Sequence, residues 1–337
     1  MQGEIFEIIL LSCLIFLNII MSETTFKIQR FNPEKDKETY FQEFKLEIPK
    51  GATLLDCLNL IKWTQDGTLT FRMSCRSAIC GSCSVRANGH AVLACKTQAS
   101  SVAQNDQVTI KPLGNMEIIK DLAVDLTEFW KKVEAIKPWL MPDEKKETQT
   151  TERTQSVEEF LKIDKASTCI MCSSCYSDCC SMAVDKSFLG PTALAKAQRF
   201  VEDSRDKETI SRIKELSEDA GIWDCTHCGE CSQRCPTEAK PLDRIVSLRT
   251  VALNSGVTNN YGARHAKAFV KSIKSSGILN ENTIPVASMG FFNIPGLLSL
   301  IPVGIRMFLK GKNPPLIHHP MQELDDVKRI FKKFEEK

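Results

Sequence analysis

Two runs of closely spaced cysteines constrain this chain more than any other feature. Each run has the spacing C-x2-C-x2-C-x3-C, first over residues 169–179 and again over residues 225–235. Three cysteines at two-residue gaps let one short loop reach three corners of an iron-sulfur cube, but the same loop cannot reach the fourth corner. A distant residue must supply the last thiolate, so the doubled pattern predicts two clusters that join two separate segments.

The spacing resembles that of two-cluster ferredoxins, in which the fourth cysteine of each run serves the other cluster. Carried over to this chain, that arrangement gives two ligand sets. The first cluster takes Cys169, Cys172, Cys175 and Cys235, and the second takes Cys225, Cys228, Cys231 and Cys179.

Zinc or disulfide bonds are the alternatives for so many cysteines. Zinc uses four ligands, commonly as two separated pairs, and each run offers more closely spaced thiols than one ion needs. Disulfides between neighbouring cysteines would close short, strained rings. The doubled pattern therefore favours iron-sulfur clusters over both.

A third cysteine pattern lies nearer the N-terminus. Its C-x4-C-x2-C spacing, with a fourth cysteine further on, is that of plant-type 2Fe-2S ferredoxins. Gly81 within it lets the backbone approach the sulfide atoms, because no side chain intervenes. The four predicted ligands are Cys75, Cys80, Cys83 and Cys95.

Around this third pattern the sequence predicts a small sheet with one helix. Apolar and polar residues alternate over 26–31, 44–48 and 107–111, as in half-buried strands. Asn88-Gly89 is a hairpin signal, and Thr53-x-x-Asp56 is typical of a capping box at a helix start.

Beyond residue 121 the sequence predicts helices and one exposed linker over 138–156. We call the cysteine runs over 169–179 and 225–235 the first and second cubane runs. A capping box at Ser156-Val-Glu-Glu159 begins the helix that leads into the first cubane run. The other predicted helices cover 122–136, 190–204, 208–219, 244–251 and 263–275.

Two apolar stretches need their own interpretation. Within residues 1–20 the apolar run from Ile8 to Leu17 is too short for a membrane span, and no basic residue precedes it. We therefore expect translation to begin at Met21; a membrane anchor is the alternative. Residues 290–312 contain Pro295 and Pro302 and end in basic residues. We expect this stretch to pack on the protein's own core or on a partner rather than to lie on a membrane.

The overall charge is nearly balanced and predicts no strongly charged binding partner. Lys and Arg number 44 against 42 Asp and Glu, a net charge of +2, so nucleic-acid binding is not predicted. Of the fifteen cysteines, Cys13, Cys57 and Cys180 fall outside the ligand sets. Cys57 sits among leucines and is predicted to be a buried small apolar residue.

The order of these motifs resembles the iron-sulfur subunit of succinate dehydrogenase and fumarate reductase. The resemblance spans about residues 24–243. The motifs that carry it are Ser74-Cys-Arg, Cys80-Gly-Ser-Cys83, Leu93-Ala-Cys95-Lys-Thr97, the first cubane run and Cys235-Pro236.

The resemblance implies an α+β fold. An N-terminal β-grasp 2Fe-2S ferredoxin domain is followed by an all-helical two-cluster ferredoxin domain with a helical C-terminal extension. The expected divisions are an apolar preamble over 1–21, the 2Fe-2S domain over 22–121, a helix and linker over 122–155, the two-cluster domain over 156–250 and an extension for partner or membrane docking over 251–337.

By the same resemblance the chain relays electrons and contains no catalytic residue. A FAD flavoprotein subunit interconverts succinate and fumarate, and electrons pass to a membrane-associated, quinone-reactive subunit. The alternative is a relay subunit of a heterodisulfide-reductase-like or glycolate-oxidase-like complex, and a third possibility is a zinc-stabilised interaction module.

Three departures from the family pattern bear on the third cluster and the quinone. Cys228 stands where the family usually has a non-cysteine and a 3Fe-4S cluster, so we expect a second 4Fe-4S cluster. Cys180 replaces a proline, which leaves Cys179 and Cys180 as competing ligands; the spacing favours Cys179. The tryptophan and histidine of the usual quinone pocket are replaced by residues such as Val184 and Thr226.

These departures resemble the less common type of the family, whose membrane partner is a cysteine-rich, heterodisulfide-reductase-like subunit. Quinone or menaquinone then reacts elsewhere in the complex. We expect a peripheral subunit of the prokaryotic inner membrane, on the cytoplasmic side by default, with the periplasmic side as the alternative.

Overall fold

The computed structural model describes residues 22–143, 152–290, 292–315 and 318–336. Contacts divide the chain into two units, and the described residues of 1–209 and 225–247 form one while those of 210–224 and 248–337 form the other. The predictions on residues 1–20 and on Cys13 lie outside the described residues, as does the 144–151 part of the linker. Within the described ranges, every helix falls short of the length and apolarity needed to cross a bilayer.

The first unit begins with a mixed five-stranded sheet. Its strands are β1 (Ser22–Arg30), β2 (Tyr40–Ile48), β3 (Ser84–Ala87), β4 (His90–Leu93) and β5 (Gln107–Lys111). Their order is β2-β1-β5-β3-β4, with β1 and β5 parallel and the other pairs antiparallel. The predicted alternation is confirmed, because Phe26 and Phe44 pair across β1 and β2 and are both buried. At the predicted hairpin, Asn88 and Gly89 have positive φ angles of 47° and 89°.

One helix, α1 (Leu54–Thr64), packs on this sheet. Its predicted capping box is present: the Asp56 N–H donates to Thr53 Oγ1 at 3.2 Å, and the Thr53 N–H donates to Asp56 Oδ2 at 2.9 Å. Leu58 and Cys57 on α1 are fully buried in the same apolar core as the sheet, as predicted for Cys57. A short helix, α2 (Ala99–Val102), precedes β5.

The side chain of Arg30 joins distant parts of the sheet domain. Its Nε lies 3.0 Å from Asp121 Oδ1, and its Nη1 lies 2.6 Å from Asp66 Oδ2. Burial raises the pKa of Asp66, but hydrogen bonds from Arg30 and Thr68 outweigh burial and lower the pKa to about 2. A lowered pKa means that this contact stabilises the fold above the unfolded carboxyl pKa and is lost as the pH falls through about 2.

We expect Arg30→Met to lower the free energy of unfolding by about 3–5 kcal/mol, because it leaves the buried Asp121 carboxylate without its cation. Urea unfolding of the cluster-loaded chain, followed by circular dichroism, measures this loss. Lys45→Met is the control, since it removes an exposed ion pair to Glu23 and should cost less than about 1 kcal/mol. Equal losses in the two variants would contradict a structural role for Arg30.

After the sheet, a small hairpin of β6 (Ile118–Lys120) and β7 (Ala123–Val124) precedes helix α3 (Thr127–Ala135). The helix predicted over 122–136 is therefore wrong in its first residues. Asp121 has a positive φ of 48°, and the Leu122 N–H donates to the Thr70 carbonyl at 3.1 Å. These contacts hold residues 122–124 extended until Thr127.

The rest of the first unit is helical. Its helices are α4 (Val157–Ser167), α5 (Ser174–Ser177), α6 (Cys180–Val184), α7 (Pro191–Val201), the first residue of α8 (Thr209–Leu216), α9 (Glu230–Gln233) and the first part of α10 (Pro241–Asn254). The predicted capping box of α4 is confirmed, with the Glu159 N–H donating to Ser156 Oγ at 3.2 Å. Helix α7 ends earlier than predicted, because Asp203 accepts the Arg205 N–H at 3.1 Å and turns the chain.

In the described residues, the second unit contains the rest of α8 and α10 and six further elements. These are a 3₁₀ turn (Ile222–Asp224), α11 (Tyr261–Ser276), α12 (Thr283–Met289), α13 (Ile294–Ser299), α14 (Ile301–Leu309) and α15 (Leu324–Glu335). Helix α11 packs against α12 and α15. No residue of α13 or α14 is buried, so these two helices of the 290–312 stretch do not lie in the protein's own core, and packing on a partner stays a prediction.

Candidate functional site

The first site lies at one edge of the sheet, in the loop before β3 and just after β4. Backbone amides of this loop point at sulfur atoms: the N–H groups of Ile79 and Cys80 lie 3.4 and 3.3 Å from Cys75 Sγ. The Ala78 N–H lies 3.3 Å from Cys95 Sγ. Amide donors directed at sulfur stabilise thiolates, as a bound metal cluster requires.

The pKa values of two thiols in this loop, Cys80 and Cys83, are shifted in opposite directions. A hydrogen bond from Ser82, whose Oγ lies 3.1 Å from the sulfur, lowers the pKa of Cys80 to about 6. Burial, together with the neighbouring Cys95 thiol, raises the pKa of Cys83 to about 12. Thiolates so close together repel one another, so a positively charged iron centre would relieve that repulsion. The donor set therefore fits a cluster.

The second site is a cavity with an empty volume of ≈ 330 Å³ between α5, α7 and the residues that follow α9. Its cysteine lining combines three residues of the first cubane run with one from the end of the second. The cysteines that line it are Cys169, Cys172, Cys175 and Cys235. Two segments far apart in the chain thus place four thiols around one space, as the crossed spacing predicts.

A buried hydroxyl supports this second cavity. Thr192, at the start of α7, has its Oγ1 3.0 Å from Cys175 Sγ. Burial raises the pKa of the thiols of Cys169, Cys172 and Cys175, most strongly for the last. Four converging thiols, one of them buried and three partly buried, fit an iron-sulfur cluster.

The third site is a neighbouring cavity with an empty volume of ≈ 300 Å³. Its cysteines are Cys179, Cys225, Cys228 and Cys231. Burial, together with the other three cysteines of the cavity, raises the pKa of Cys231 to about 12. The donor set is again four thiols, which suits a cubane.

Cys180 does not line this cavity. Cys179 is buried, whereas Cys180 is exposed and has its Sγ 3.4 Å from Thr226 Oγ1. The Thr226 hydrogen bond lowers the pKa of Cys180, and one from Cys228 adds to the effect. The thiol therefore contacts Thr226 and Cys228 of the cavity lining without lining the cavity itself.

The two cubane runs share one backbone conformation. The second and fourth residues after the first cysteine have positive φ angles in both: 57° at Met171 and 59° at Ser173, then 59° at His227 and 86° at Gly229. Three of the four are not glycines, so the loops hold local strain where the thiols converge. Only Gly229 gave any sign of this in the sequence.

Residues 175–179, here called the inter-cluster loop, are held against the sheet domain by Asp178, a residue that the sequence did not point to. Asp178 Oδ2 accepts the Ala91 N–H at 2.7 Å, and its Oδ1 lies 3.2 Å from Arg86 Nε. Arg234, next to a cavity cysteine, lies 3.7 Å from the same carboxylate. One buried carboxylate thus joins β3, β4 and both cubane runs.

Two further contacts bring the sheet domain against this loop. Asn115 Nδ2 donates to the carbonyl oxygens of Tyr176, Ser177 and Cys179 at 2.9–3.1 Å. A Cβ built on Gly81 would lie 2.6 Å from Cys172 Cβ, so the 2Fe-2S loop touches the cubane loop directly. No sequence signal could have found these pairs, because their members are distant in the chain.

Comparison with known proteins gives matches over the same regions. The family model for a 2Fe-2S iron-sulfur cluster binding domain matches residues 25–131, and the model for a 4Fe-4S dicluster domain matches residues 165–239. The chain therefore carries both kinds of cluster domain.

Three curated relatives are iron-sulfur subunits. The 8-methylmenaquinol:fumarate reductase iron-sulfur subunit of Wolinella succinogenes is 38% identical over 300 residues, covering 86% of this chain and 91% of the relative. The fumarate reductase iron-sulfur subunit of Mycobacterium tuberculosis is 36% identical, covering 69% and 94%. The succinate dehydrogenase iron-sulfur subunit of Coxiella burnetii is 36% identical, covering 68% and 97%.

A solved structure shares the fold. A chain of the Mycobacterium smegmatis Sdh1 complex in its apo form superposes with a TM-score of 0.63 at 23% identity, covering 70% of this chain and 98% of that one. The sheet domain followed by a helical cluster domain is thus a known arrangement.

Proposed function

The chain belongs to the family of iron-sulfur subunits of succinate dehydrogenase and fumarate reductase, and we propose that it connects a flavoprotein subunit to a quinone-reactive subunit. It is an electron-transfer subunit of an oxidoreductase complex. In this proposal the flavoprotein holds FAD and interconverts succinate and fumarate. One observation carries the proposal: three thiol-lined sites lie in a single unit, and the inter-cluster loop contributes to two of them.

The ligand sets follow the thiols that line each site. The 2Fe-2S cluster would take Cys75, Cys80, Cys83 and Cys95; the first 4Fe-4S cluster Cys169, Cys172, Cys175 and Cys235; and the third cluster Cys225, Cys228, Cys231 and Cys179. When bound, the clusters supply one-electron transfer that no side chain could perform. The five-stranded sheet with α1 would then be the β-grasp of plant-type ferredoxins.

The chain's own residues hold and tune these sites. The hydroxyls of Ser82 and Thr192 lie within hydrogen-bond distance of ligand sulfurs, and such bonds favour the more negative, reduced state of a cluster. Asp178 and Asn115 hold the inter-cluster loop against the sheet domain. Spacing between the sites is therefore set by contacts among residues of this chain.

For the third site, we favour a second 4Fe-4S cluster over 3Fe-4S. Cys228 lines the cavity together with the other three cysteines, so four thiols are available for four irons. A three-iron cluster would leave one of them without a metal.

The membrane partner we favour is the cysteine-rich, heterodisulfide-reductase-like subunit. Support comes from the Wolinella succinogenes relative, named for 8-methylmenaquinol, whose alignment takes in a much larger share of this chain than the others do. The positions of the usual quinone pocket argue the same way, since Val184 is 90% exposed and Thr226 is also exposed. A menaquinone-class quinol would then react on the partner.

The complex is a membrane-associated respiratory complex, and we place this subunit peripherally on the prokaryotic inner membrane. The cytoplasmic side is the default position. The physiological direction depends on the potentials of the flavin and the quinone pool, which lie in the partners.

Cys228→Ser tests the relay and the third cluster together. We expect about ten irons in the anaerobically isolated wild-type chain and no three-iron signal when it is oxidised. The variant should lose about one iron and show a three-iron signal, because one cavity thiol is gone. Iron and sulfide analysis with low-temperature electron paramagnetic resonance measures both.

Cys57→Ala is the control, since Cys57 is buried in the sheet-domain core and lies outside every ligand set. It should keep the full iron content. A strong three-iron signal in the wild type under strict anaerobiosis would overturn the assignment of Cys228. A colourless protein with no paramagnetic signal after reconstitution would favour the zinc-stabilised module instead.

A further inference from the structure

The second unit carries an apolar segment, residues 292–309, that its other described elements leave uncovered. Every residue of α14 is exposed, α13 has no buried residue, and Phe292 is 99% exposed. Folded proteins expose large apolar side chains singly, whereas a contiguous run marks a binding surface.

Helix α14 has two distinct sides. Ile301, Ile305 and Phe308 recur at helical spacing on one side, and Leu309 extends the same apolar face. Arg306 and Lys310, the residue that follows the helix, lie on the other side beside Val303. At 1.5 Å per residue the helix is about 14 Å long, well short of a bilayer's hydrocarbon core, so these proportions suit a helix that lies in an interface.

The charged residues in and around the apolar segment are all basic. Residues 282–322 contain no Asp or Glu, and their Lys and Arg residues are Arg306, Lys310 and Lys312. Among the described residues no carboxylate pairs with these three cations. On α15, by contrast, Arg329 and Lys332 have carboxylate partners in Asp326 and Glu336.

We propose that the apolar segment is a membrane-surface anchor, with its apolar face in the acyl chains and its basic side at the phosphates of anionic lipids. Unneutralised cations beside an uncovered apolar face complement an anionic bilayer surface, which supplies both apolar depth and negative charge. The subunit would then bind the membrane directly, in addition to its attachment through a partner.

Vesicle flotation of the full cluster-loaded chain tests the proposal. The chain should float with vesicles of phosphatidylethanolamine and phosphatidylglycerol and much less with neutral phosphatidylcholine vesicles. Phe308→Ser with Leu309→Ser should weaken the anionic binding by about tenfold or more, because both side chains are over 70% exposed and act only on what covers them. Arg306→Gln with Lys310→Gln should weaken it and reduce its salt dependence.

Matched controls separate the anchor from general exposure and charge. Val157→Ser with Leu161→Ser removes side chains that are 74% and 62% exposed on α4, four residues apart, and should leave flotation unchanged. Arg329→Gln with Lys332→Gln removes two cations that already have carboxylate partners and should have little effect. Iron content and paramagnetic signals are measured on every variant, so a lost cluster is distinguished from a lost anchor.

Three results would overturn the proposal. One is flotation that is absent, or unchanged in the Phe308→Ser, Leu309→Ser variant. Another is loss of a membrane subunit during purification of that variant while vesicle binding persists, which would make the segment a protein-docking site. The third is a wild-type chain that self-associates through the segment on gel filtration and ignores vesicles, which would make a second copy the occupant.

Discussion

Cys179→Ala is expected to remove the third cluster and about four of about ten irons while the 2Fe-2S signal stays. Cys179 is buried and lines the cavity with Cys225, Cys228 and Cys231. Without it, the second run must hold a cubane with three thiols of its own loop, and the fourth corner has no protein ligand. In the proposed relay, electron transfer to quinone in the assembled complex should fall to background, because one of the three clusters is missing.

Cys180→Ala is the matched variant, one residue away. Cys180 is exposed and does not line the cavity, although its Sγ lies 3.4 Å from Thr226 Oγ1, so iron content and turnover should match those of the wild type. Iron analysis and paramagnetic resonance of both variants, followed by quinone reductase assays of the complexes, give the comparison. Loss of the cluster in Cys180→Ala with retention in Cys179→Ala would reverse the assignment.

The comparison between these two cysteines also indicates how far the sequence alone could go. Spacing in the cubane runs predicted which thiols would converge, because a short loop has few ways to place three cysteines around a cube. The capping boxes at Thr53 and Ser156 and the turn at Asn88-Gly89 were also predictable, because each depends only on neighbours within a few residues. Such features need no knowledge of the tertiary fold.

Contacts between distant segments could not be predicted in this way. Arg30 meets Asp121, and Asn115 meets Tyr176 and Cys179, across separations over which no periodic pattern extends. The start of α3 was mispredicted for the same reason, since a tertiary contact of Leu122 keeps the chain extended. Exposure of α14 likewise depends on which elements reach it, so its composition alone could not distinguish a core helix from an uncovered one.

Gly81→Ala should separate the 2Fe-2S loop from the cubane loop. A Cβ at this position would lie 2.6 Å from Cys172 Cβ and 2.7 Å from Cys172 Cα, and φ is +71°. Left-handed backbone costs an alanine roughly 1–2 kcal/mol, and overpacking adds roughly 1–3 kcal/mol. Since neither Cα nor Cβ of Cys172 can swing aside, we expect the two loops to move apart. Electron transfer from the flavoprotein to quinone should then slow, although the 2Fe-2S cluster and the first 4Fe-4S cluster remain bound.

Gly89→Ala isolates the contact from the backbone strain. Gly89 has φ +89° and nothing within 4 Å of a built Cβ, so alanine there meets the same left-handed penalty without a clash. Thermal unfolding should show that Gly89→Ala loses less stability than Gly81→Ala. Electron transfer in Gly89→Ala should be unchanged. Paramagnetic resonance of the reduced proteins adds a direct test, because magnetic interaction between the 2Fe-2S and neighbouring clusters weakens with distance. If the two variants lose equal stability and Gly81→Ala keeps normal transfer, the close approach of Gly81 to Cys172 does not set the spacing of the relay.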